Sequence, residues 1–144
     1  FDITKNRINP KLRPAFYHCQ NHLRGPEHRC FLVEHLLKSE NPLVFIGSDN
    51  SCHTKRETLA GSPGIPSNQE MVPVILTLAK QFGISEERVA QLISFNAVDF
   101  FGIDVPRELK EYRIEERVDD IQYNNGIVEN PWNGSRLWFP IGNA

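Results

Sequence analysis

The hydrophobic and polar positions in the first third of the chain predict one strand–helix–strand unit. Leu43–Ile46 is apolar without alternation, which is typical of a strand buried on both faces in a parallel sheet. A shorter apolar-aromatic stretch, Ala15–Cys19, is the second strand candidate. Between them Gly25-Pro26 resembles a helix start, and an apolar stripe follows at helical spacing until about residues 38–42. Such a unit is expected to cross over right-handed.

Two further helices are predicted after a long loop that contains glycine and proline. Ser67 and Glu70 have the spacing of a capping box, and Pro73 is expected to kink the helix that follows or to delay its start. Ser85 is predicted to cap the next helix and Gly102 to end it. The buried face of that helix is predicted to consist of four apolar residues, namely Val89, Leu92, Ile93 and Phe100.

The last third of the chain is mixed. A charged stretch at residues 107–120 predicts a solvated face, and β-like pieces follow around Ile127–Val128 and Leu137–Phe139. Trp132 and Trp138 are interpreted as packing anchors. The class is α/β, but two parallel strands cannot bury both of their faces and the helical stripes as well. The pattern therefore predicts part of a larger α/β domain, whose missing strands come from elsewhere.

Composition excludes several functional classes. The 144 residues carry 16 Lys and Arg against 18 Asp and Glu, a net charge of −2, which argues against a nucleic-acid partner. The apolar runs are too short to span a membrane. Three cysteines without a CxxC pair fit free thiols in a reducing, cytoplasmic compartment. Because the first residue is Phe, we expect a fragment or a processed product.

Asp49 and His53 are the most informative candidates for chemistry. Asp49 stands at the carboxyl end of the predicted strand, and His53 follows four residues later. Catalytic groups of parallel α/β folds gather at this end of the strands. A carboxylate there can bind a metal or act as a general base, and the imidazole can bind a metal or an anion. The alternative is that Asp49 closes an Asx-turn and that His53 is an ordinary loop residue.

Two other arrangements are weaker. His18, Cys19 and His22 include zinc-ligating residue types, but a strand would place His18 and Cys19 on opposite faces, and no second pair completes a tetrahedral site. Cys52 and His53 could form a thiol–imidazole pair. Adjacent residues rarely reach the geometry that such a pair requires.

The segment FIGSDNSCHTKRE (45–57) resembles the dihydroorotase pattern F-[IL]-G-[ST]-D-x-A-P-H. Ala60-Gly61 and Pro63-Gly64 look like the glycine-rich loop of that family. ISFNAVDFFGI (93–103) resembles its N-P-A-x-x-[FY]-G-L helix, and NPWNGSRLWFP (130–140) is similar to its P-F-x-G-x-x-L-x-W ending. These motifs occur in the family's order and cover most of the chain.

The resemblance implies a fold and an activity. Residues 1–106 would be the last strand–helix units of a TIM-type (β/α)8 barrel of the amidohydrolase superfamily, and residues 107–144 a C-terminal extension that packs on the barrel. Such a piece is incomplete on its own. The whole enzyme would use two zinc ions to interconvert dihydroorotate and N-carbamoyl-L-aspartate in pyrimidine biosynthesis.

The resemblance also assigns roles to individual residues. Asp49 matches the aspartate that ligates one zinc ion and acts as general acid/base: it accepts the proton of the attacking metal-bound hydroxide and passes it to the leaving ring nitrogen. His53 matches the histidine that helps to hold the substrate carboxylate. Ala60 and Gln20 fall near positions that contact substrate through backbone groups, although Gln20 requires a one-residue gap.

This sequence also departs from the family pattern. Ser51-Cys52 replaces Ala-Pro before the histidine, and Asn21 replaces the proline of a Cys-x-P turn. The family's H-x-H pair, bridging modified lysine, two later histidines, and carboxylate-gripping Arg and Asn have no match in these residues.

These departures leave alternatives open. The chain is either the C-terminal portion of a working dihydroorotase, inactive alone and completed by the upstream barrel or another chain, or a catalytically inactive scaffold or assembly subunit. A third alternative is that the chain is part of another cyclic-amide hydrolase of the superfamily. A small-molecule substrate is the expected ligand, and a homodimer is an open possibility.

Overall fold

The computed structural model describes residues 25–106, 113–128 and 130–141. The α-helices of this part of the chain are α1 Pro26–Leu32, α2 Lys55–Leu59, α3 Met71–Phe82, α4 Glu86–Ala90 and α5 Asn96–Phe101. π-Helical turns extend α1 through Val33–Leu37 and join α4 to α5 through Gln91–Phe95. Two antiparallel strands, β1 Arg113–Val118 and β2 Arg136–Ile141, flank a short 3-10 turn at Asn124–Gly126. The predicted strand Ala15–Cys19 lies outside the described residues.

Several predicted helix boundaries are confirmed. α1 carries Pro26 in its first turn, where the missing N–H has no helical partner to lose. The Ser85 hydroxyl accepts a 3.1 Å bond from the Arg88 N–H at the start of α4. Gly102 ends α5 with a φ of +63°, a conformation that glycine adopts without a Cβ penalty. Pro73 is the third residue of α3, so the helix begins late enough to accommodate it.

The capping box predicted at Ser67 and Glu70 is wrong. Glu70 precedes α3 without capping it, and its side chain is buried against other parts of the chain. A capping box occurs instead at α2, where the Glu57 N–H donates to the Thr54 hydroxyl (3.3 Å) and the Thr54 N–H donates to the Glu57 carboxylate (2.9 Å).

The parallel strand predicted at Leu43–Ile46 is also wrong for the described residues, which contain no strand there. The segment is irregular and half-buried from Val44 to Ile46. The Ile46 N–H donates to the Leu92 carbonyl (2.9 Å), and the Asn96 amide donates to the Val44 carbonyl (2.8 Å). A parallel strand needs neighbouring strands, and the described residues provide none beside it.

The core lies between α3, α4 and the β1–β2 hairpin. Its main cluster consists of buried residues from α3, α4 and the turn between them, namely Ile75, Leu76, Ala79, Ile84 and Val89. Leu137 and Phe139 of β2 are buried in a second cluster beside the half-buried Trp132, and Trp138 packs on the first cluster. Both tryptophans are therefore packing residues, as predicted. Thr77 joins the layers, because its hydroxyl accepts a 2.9 Å bond from the Trp138 N–H.

Two burial predictions are corrected. Phe100 does not belong to a buried face: it is 57% exposed and lies with Phe45 and Phe101 in a surface cluster, with ring centroids 5.0–5.9 Å apart. In the charged stretch, β1 is mostly exposed as expected, but Asp119 is completely buried. Among the helices of the described ranges, none has the length and apolarity to cross a bilayer.

Candidate active site

Asp49 begins the loop that carries most of the predicted site. Its backbone has a φ of +42°, in the left-handed region that only a few non-glycine residues adopt. Its side chain is exposed, and among the described contacts its carboxylate makes no hydrogen bond. The Ser51 N–H, which an Asx-turn at Asp49 would use, donates instead to the Ile65 carbonyl, so the described contacts do not form that turn.

The residues on either side of Asp49 are anchored. The Asn50 Oδ1 atom accepts hydrogen bonds from the N–H groups of Ser67 (2.9 Å) and Asn68 (3.4 Å). The Ser67 hydroxyl donates to the Ser48 carbonyl at 2.6 Å. Asp49 thus lies between two residues that are bound to the segment leading into α3.

The glycine-rich loop approaches the same residues closely. The Ser51 N–H donates to the Ile65 carbonyl (3.3 Å). Gly64 has a φ of +147°, and a Cβ there would lie 2.6 Å from Ser51 atoms. The close packing explains the glycine at this position of the family-like Pro63-Gly64 motif.

His53 is half-buried, and its Nε2 atom lies 3.2 Å from the Ser51 hydroxyl. Ser51 is one of the two residues that replace the family's Ala-Pro, so this departure adds a hydrogen-bond partner to the imidazole. The Cys52 thiol lies 3.4 Å from Asn50 Oδ1, to which it can donate. The described contacts thus pair His53 with a hydroxyl and do not form the Cys52–His53 nucleophile pair.

Helix α2 begins directly after His53. The Glu57 pKa is lowered because the backbone N–H and the hydroxyl of Thr54 both donate to its carboxylate. Lys55 donates its N–H to the Ile127 carbonyl (3.1 Å), which ties α2 to the C-terminal part of the chain. Ala60 is exposed at the end of α2, where its N–H donates to the Arg56 carbonyl (3.0 Å). Among the described contacts, its carbonyl accepts no hydrogen bond.

The predicted site is thus only partly assembled. Asp49 and His53 share one anchored loop, and Ala60 lies at the end of the next helix. Gln20 lies outside the described residues, as do His18, Cys19 and His22. Within the described ranges, no three His, Cys, Asp or Glu side chains cluster as a metal site. These residues alone do not fit a two-zinc centre, for which Asp49 could supply one carboxylate.

A buried polar network behind this loop was missed by the sequence analysis. Glu70 and Asp119 are fully buried, and Asn130 and Tyr123 are nearly so. The Asn130 Nδ2 atom lies 2.9 Å from Glu70 Oε1 and 2.9 Å from Asp119 Oδ2. The Tyr123 hydroxyl donates a short hydrogen bond to Glu70 Oε2. The sequence signal was Glu70 itself, whose spacing from Ser67 was interpreted as a helix cap.

Burial dominates the electrostatics of this network. It raises the pKa of the Glu70 carboxyl against the hydrogen bond from Tyr123, and the nearby Asp119 charge adds to the rise. Burial likewise raises the Asp119 pKa, opposed by hydrogen bonds from the Ile121 N–H and Asn130. The Tyr123 pKa is raised by burial and by its bond to Glu70. The network therefore favours the less charged forms of its acidic groups.

The chain shows similarity to known dihydroorotases. It is 27% identical over 124 residues to the dihydroorotase of Thermococcus kodakarensis, a match that covers 80% of this chain and 29% of the relative. The fold resembles a crystal structure of the dihydroorotase from Campylobacter jejuni with a TM-score of 0.64, at 22% identity, over 92% of this chain and 39% of that one. No family model matches the sequence.

The two matches agree with the motifs. The chain spans less than a third of the curated relative, at 29% of its length. The structural match supports the predicted fold in its coarser form, a mixed helix and strand chain that shares the fold of part of a dihydroorotase. The resemblance to the dihydroorotases is confirmed: the chain is similar in sequence and in fold to part of a dihydroorotase and fits its C-terminal portion.

Proposed function

We propose that the chain is the C-terminal portion of a dihydroorotase-like cyclic amide hydrolase that interconverts dihydroorotate and N-carbamoyl-L-aspartate in the cytoplasm. The observation that carries the proposal is the Asp49 loop. The motif that matches the family coincides with a carboxylate exposed to solvent, while Ser48 and Asn50 beside it are anchored to the segment before α3.

Asp49 is the acid/base in this proposal. It accepts a proton from the attacking water and delivers a proton to the ring nitrogen as the amide bond breaks, so that the ring opens to the carbamoyl product. Its exposure suits a group that must reach a bound substrate. Anchored neighbours suit a group that must be held at one position during the reaction.

His53 binds the substrate carboxylate. Its ring is held by the Ser51 hydroxyl at 3.2 Å through Nε2, which leaves the other ring nitrogen for a ligand. The Ala60 carbonyl and backbone groups of Gln20 are the remaining substrate contacts in this proposal.

Two zinc ions belong to the proposal, and they activate the water and polarise the amide carbonyl when bound. Asp49 would be a ligand of one of them. The other ligands would come from the upstream part of the barrel or from a complementing chain. Chelation is therefore expected to remove the activity of the complete protein.

An upstream barrel also fits the surface of this chain. The exposed Phe100 and Phe101 rings contact the half-buried Phe45, and together they form an apolar surface beside the irregular segment that follows Leu43. Within the described part of the chain, the backbone groups of Phe45 and Gly47 make no hydrogen bond. Neighbouring strands would pair these groups and cover the rings. Residues 1–106 would then complete the barrel, with residues 107–144 packed on it.

The test is dihydroorotate hydrolysis by the complete protein that contains this chain, with Asp49→Ala as the variant. We expect kcat to fall by about 10³-fold or more, because the acid/base group is lost. Circular dichroism should show an unchanged fold, since the Asp49 side chain is exposed. Asp120→Ala, at another exposed aspartate, is the matched control and should keep wild-type activity.

Wild-type activity in Asp49→Ala would contradict the assigned role. A complete wild-type protein that neither hydrolyses dihydroorotate nor binds zinc, yet associates stably with another protein, would contradict the enzyme and favour the scaffold alternative.

A further inference from the structure

We propose that the buried network of Glu70, Tyr123, Asn130 and Asp119, here called the buried carboxylate network, positions the Asp49 loop, with Tyr123 and Glu70 as positioning residues. The network contacts the Ser67–Glu70 turn at Gln69 and Glu70, whereas the loop contacts it at Ser67 and Asn68, and the network is not part of the predicted site. The kinetic part of the inference rests on the proposed function, whereas its structural part does not.

The network fixes the orientation of its own members. The Asn130 Oδ1 atom accepts the Trp132 N–H at 2.9 Å, which turns Nδ2 toward the two carboxylates. All four carboxylate oxygens of Glu70 and Asp119 accept a hydrogen bond, the last one from the Ile121 N–H at 3.3 Å. Because a buried polar group left without a partner is costly, a fully bonded network holds one arrangement.

The network then holds the turn before α3. Tyr123 accepts the Gln69 N–H at 3.2 Å while it donates to Glu70, so one hydroxyl binds two consecutive residues of the turn. The Ser67 carbonyl accepts the Met71 N–H at 2.9 Å, which closes the turn onto the start of α3. Ser67 is therefore placed by contacts that begin at Tyr123 and Glu70.

The Ser67–Glu70 turn also holds the Asp49 loop. The Ser67 hydroxyl binds the Ser48 carbonyl (2.6 Å), and the Ser67 N–H binds Asn50 Oδ1 (2.9 Å). Asp49 lies between these two contacts and has a left-handed backbone, which persists only where its surroundings determine it. A change at Tyr123 is thus transmitted to Asp49 through the turn, chiefly by Ser67 and also by the Asn68 N–H, which lies 3.4 Å from Asn50 Oδ1.

The test compares Tyr123→Phe with Thr77→Val in the complete protein. Each variant removes one buried hydroxyl with little change in shape, and Thr77 lies in α3 against β2, outside the network. Amide hydrogen exchange is measured at Ser51, Ser67 and Asn68, none of which bonds to Tyr123 directly. We expect exchange there to accelerate about tenfold in Tyr123→Phe and to stay unchanged in Thr77→Val.

The kinetic measurement uses dihydroorotate as the probe. We expect kcat to fall about tenfold in Tyr123→Phe while KM stays within about twofold, because a displaced acid/base group affects chemistry more than binding. Ser67→Ala removes the hydroxyl bond to Ser48 beyond the network and keeps the N–H bond to Asn50. It should also lower kcat more than it changes KM, without the loss of thermal stability expected for Tyr123→Phe. It also tests the inference if Tyr123→Phe does not fold.

Unchanged exchange at the three amides in Tyr123→Phe, or the same acceleration in Thr77→Val, would overturn the inference. So would a Ser67→Ala variant with wild-type kcat. Absence of dihydroorotate turnover by the wild-type protein would instead contradict the proposed function, since the exchange measurement does not depend on that activity.

Discussion

At the scale of single residues, Glu70 and Asp119 are two buried carboxyls whose pKa values are raised. Both are completely buried, and they share the amide of Asn130. The pKa values of both carboxyls are raised chiefly by burial; the charge of Asp120 adds to the rise at Asp119, and Arg117 opposes it. A carboxyl with a raised pKa binds its proton more tightly in the folded state than in the unfolded chain.

The sign of the pH dependence follows from these shifts. The stabilising contribution is full below the ordinary carboxyl pKa and is lost as the pH rises through the raised values. We therefore expect this network to stabilise the fold more at about pH 4 than at pH 7. Urea unfolding of the wild type and of Glu70→Gln across that range measures the effect: the variant, which cannot titrate, should show a shallower decline.

The matched control is Glu115→Gln, which replaces an exposed glutamate of β1. The free energy of unfolding of this variant should change with pH as that of the wild type does. Parallel pH profiles for the wild type and Glu70→Gln would contradict the assignment of this dependence to Glu70.

At the scale of the elements, Arg88 holds the end of the first helix against α4. Its guanidinium donates to the carbonyls of Leu37 (3.0 Å) and Leu36 (3.1 Å), which belong to the last turn of that helix. It also lies 3.4 Å from the Asn41 carbonyl and 3.1 Å from the Gln91 side chain. The last carbonyls of a helix have no acceptor role in its backbone ladder, so Arg88 satisfies those of Leu36 and Leu37, together with the Ser39 hydroxyl that donates to Leu36 at 3.1 Å.

Replacement of this guanidinium tests that role. We expect Arg88→Met to lower the free energy of unfolding by about 2 kcal/mol, because both helix-end carbonyls lose the guanidinium and Leu36 keeps only the Ser39 hydroxyl, while the aliphatic packing is kept. Arg88→Lys should recover only part of the loss, since an ammonium does not reproduce the planar fork. Chemical denaturation measures both.

Arg136→Ala, which breaks an exposed ion pair with Glu116, serves as the control and should change stability far less than Arg88→Met does, because solvent screens an exposed pair. An Arg88→Met variant as stable as this control would contradict the assigned role.

What the sequence could predict at this scale depended on local interactions. The starts and ends set by Pro26, Ser85 and Gly102 were predictable because capping and glycine conformations involve only adjacent residues. Leu43–Ile46 was not, because a strand depends on neighbours that the described residues lack. Glu70 was misread because its partners, Tyr123 and Asn130, lie more than 50 residues away.

The candidate site likewise has one part that could be predicted from the local sequence and another that depends on distant residues. Asp49 and His53 could be found from their motif, but nothing local distinguishes an exposed carboxylate from one that closes a turn. The anchoring of the loop by Asn50 and Ser67 joins residues 17 positions apart and needed the structure. The roles of Asp49, His53, Ala60 and Gln20 stay predictions.

At the scale of the whole molecule, the chain is similar to only part of its relatives. It covers 39% of the dihydroorotase structure that it resembles, at a TM-score of 0.64. The exposed rings of Phe100 and Phe101, with the half-buried Phe45 beside them, form a surface that a larger fold would cover. The central claim is therefore that this chain works as one portion of a larger, metal-dependent hydrolase.

Native mass spectrometry of the protein, purified without chelators, tests that claim most directly. We expect a mass well above the 16.5 kDa of this chain, from a longer polypeptide or a complementing chain, together with two bound zinc ions. A lone 16.5 kDa chain that is folded and free of metal would contradict the account.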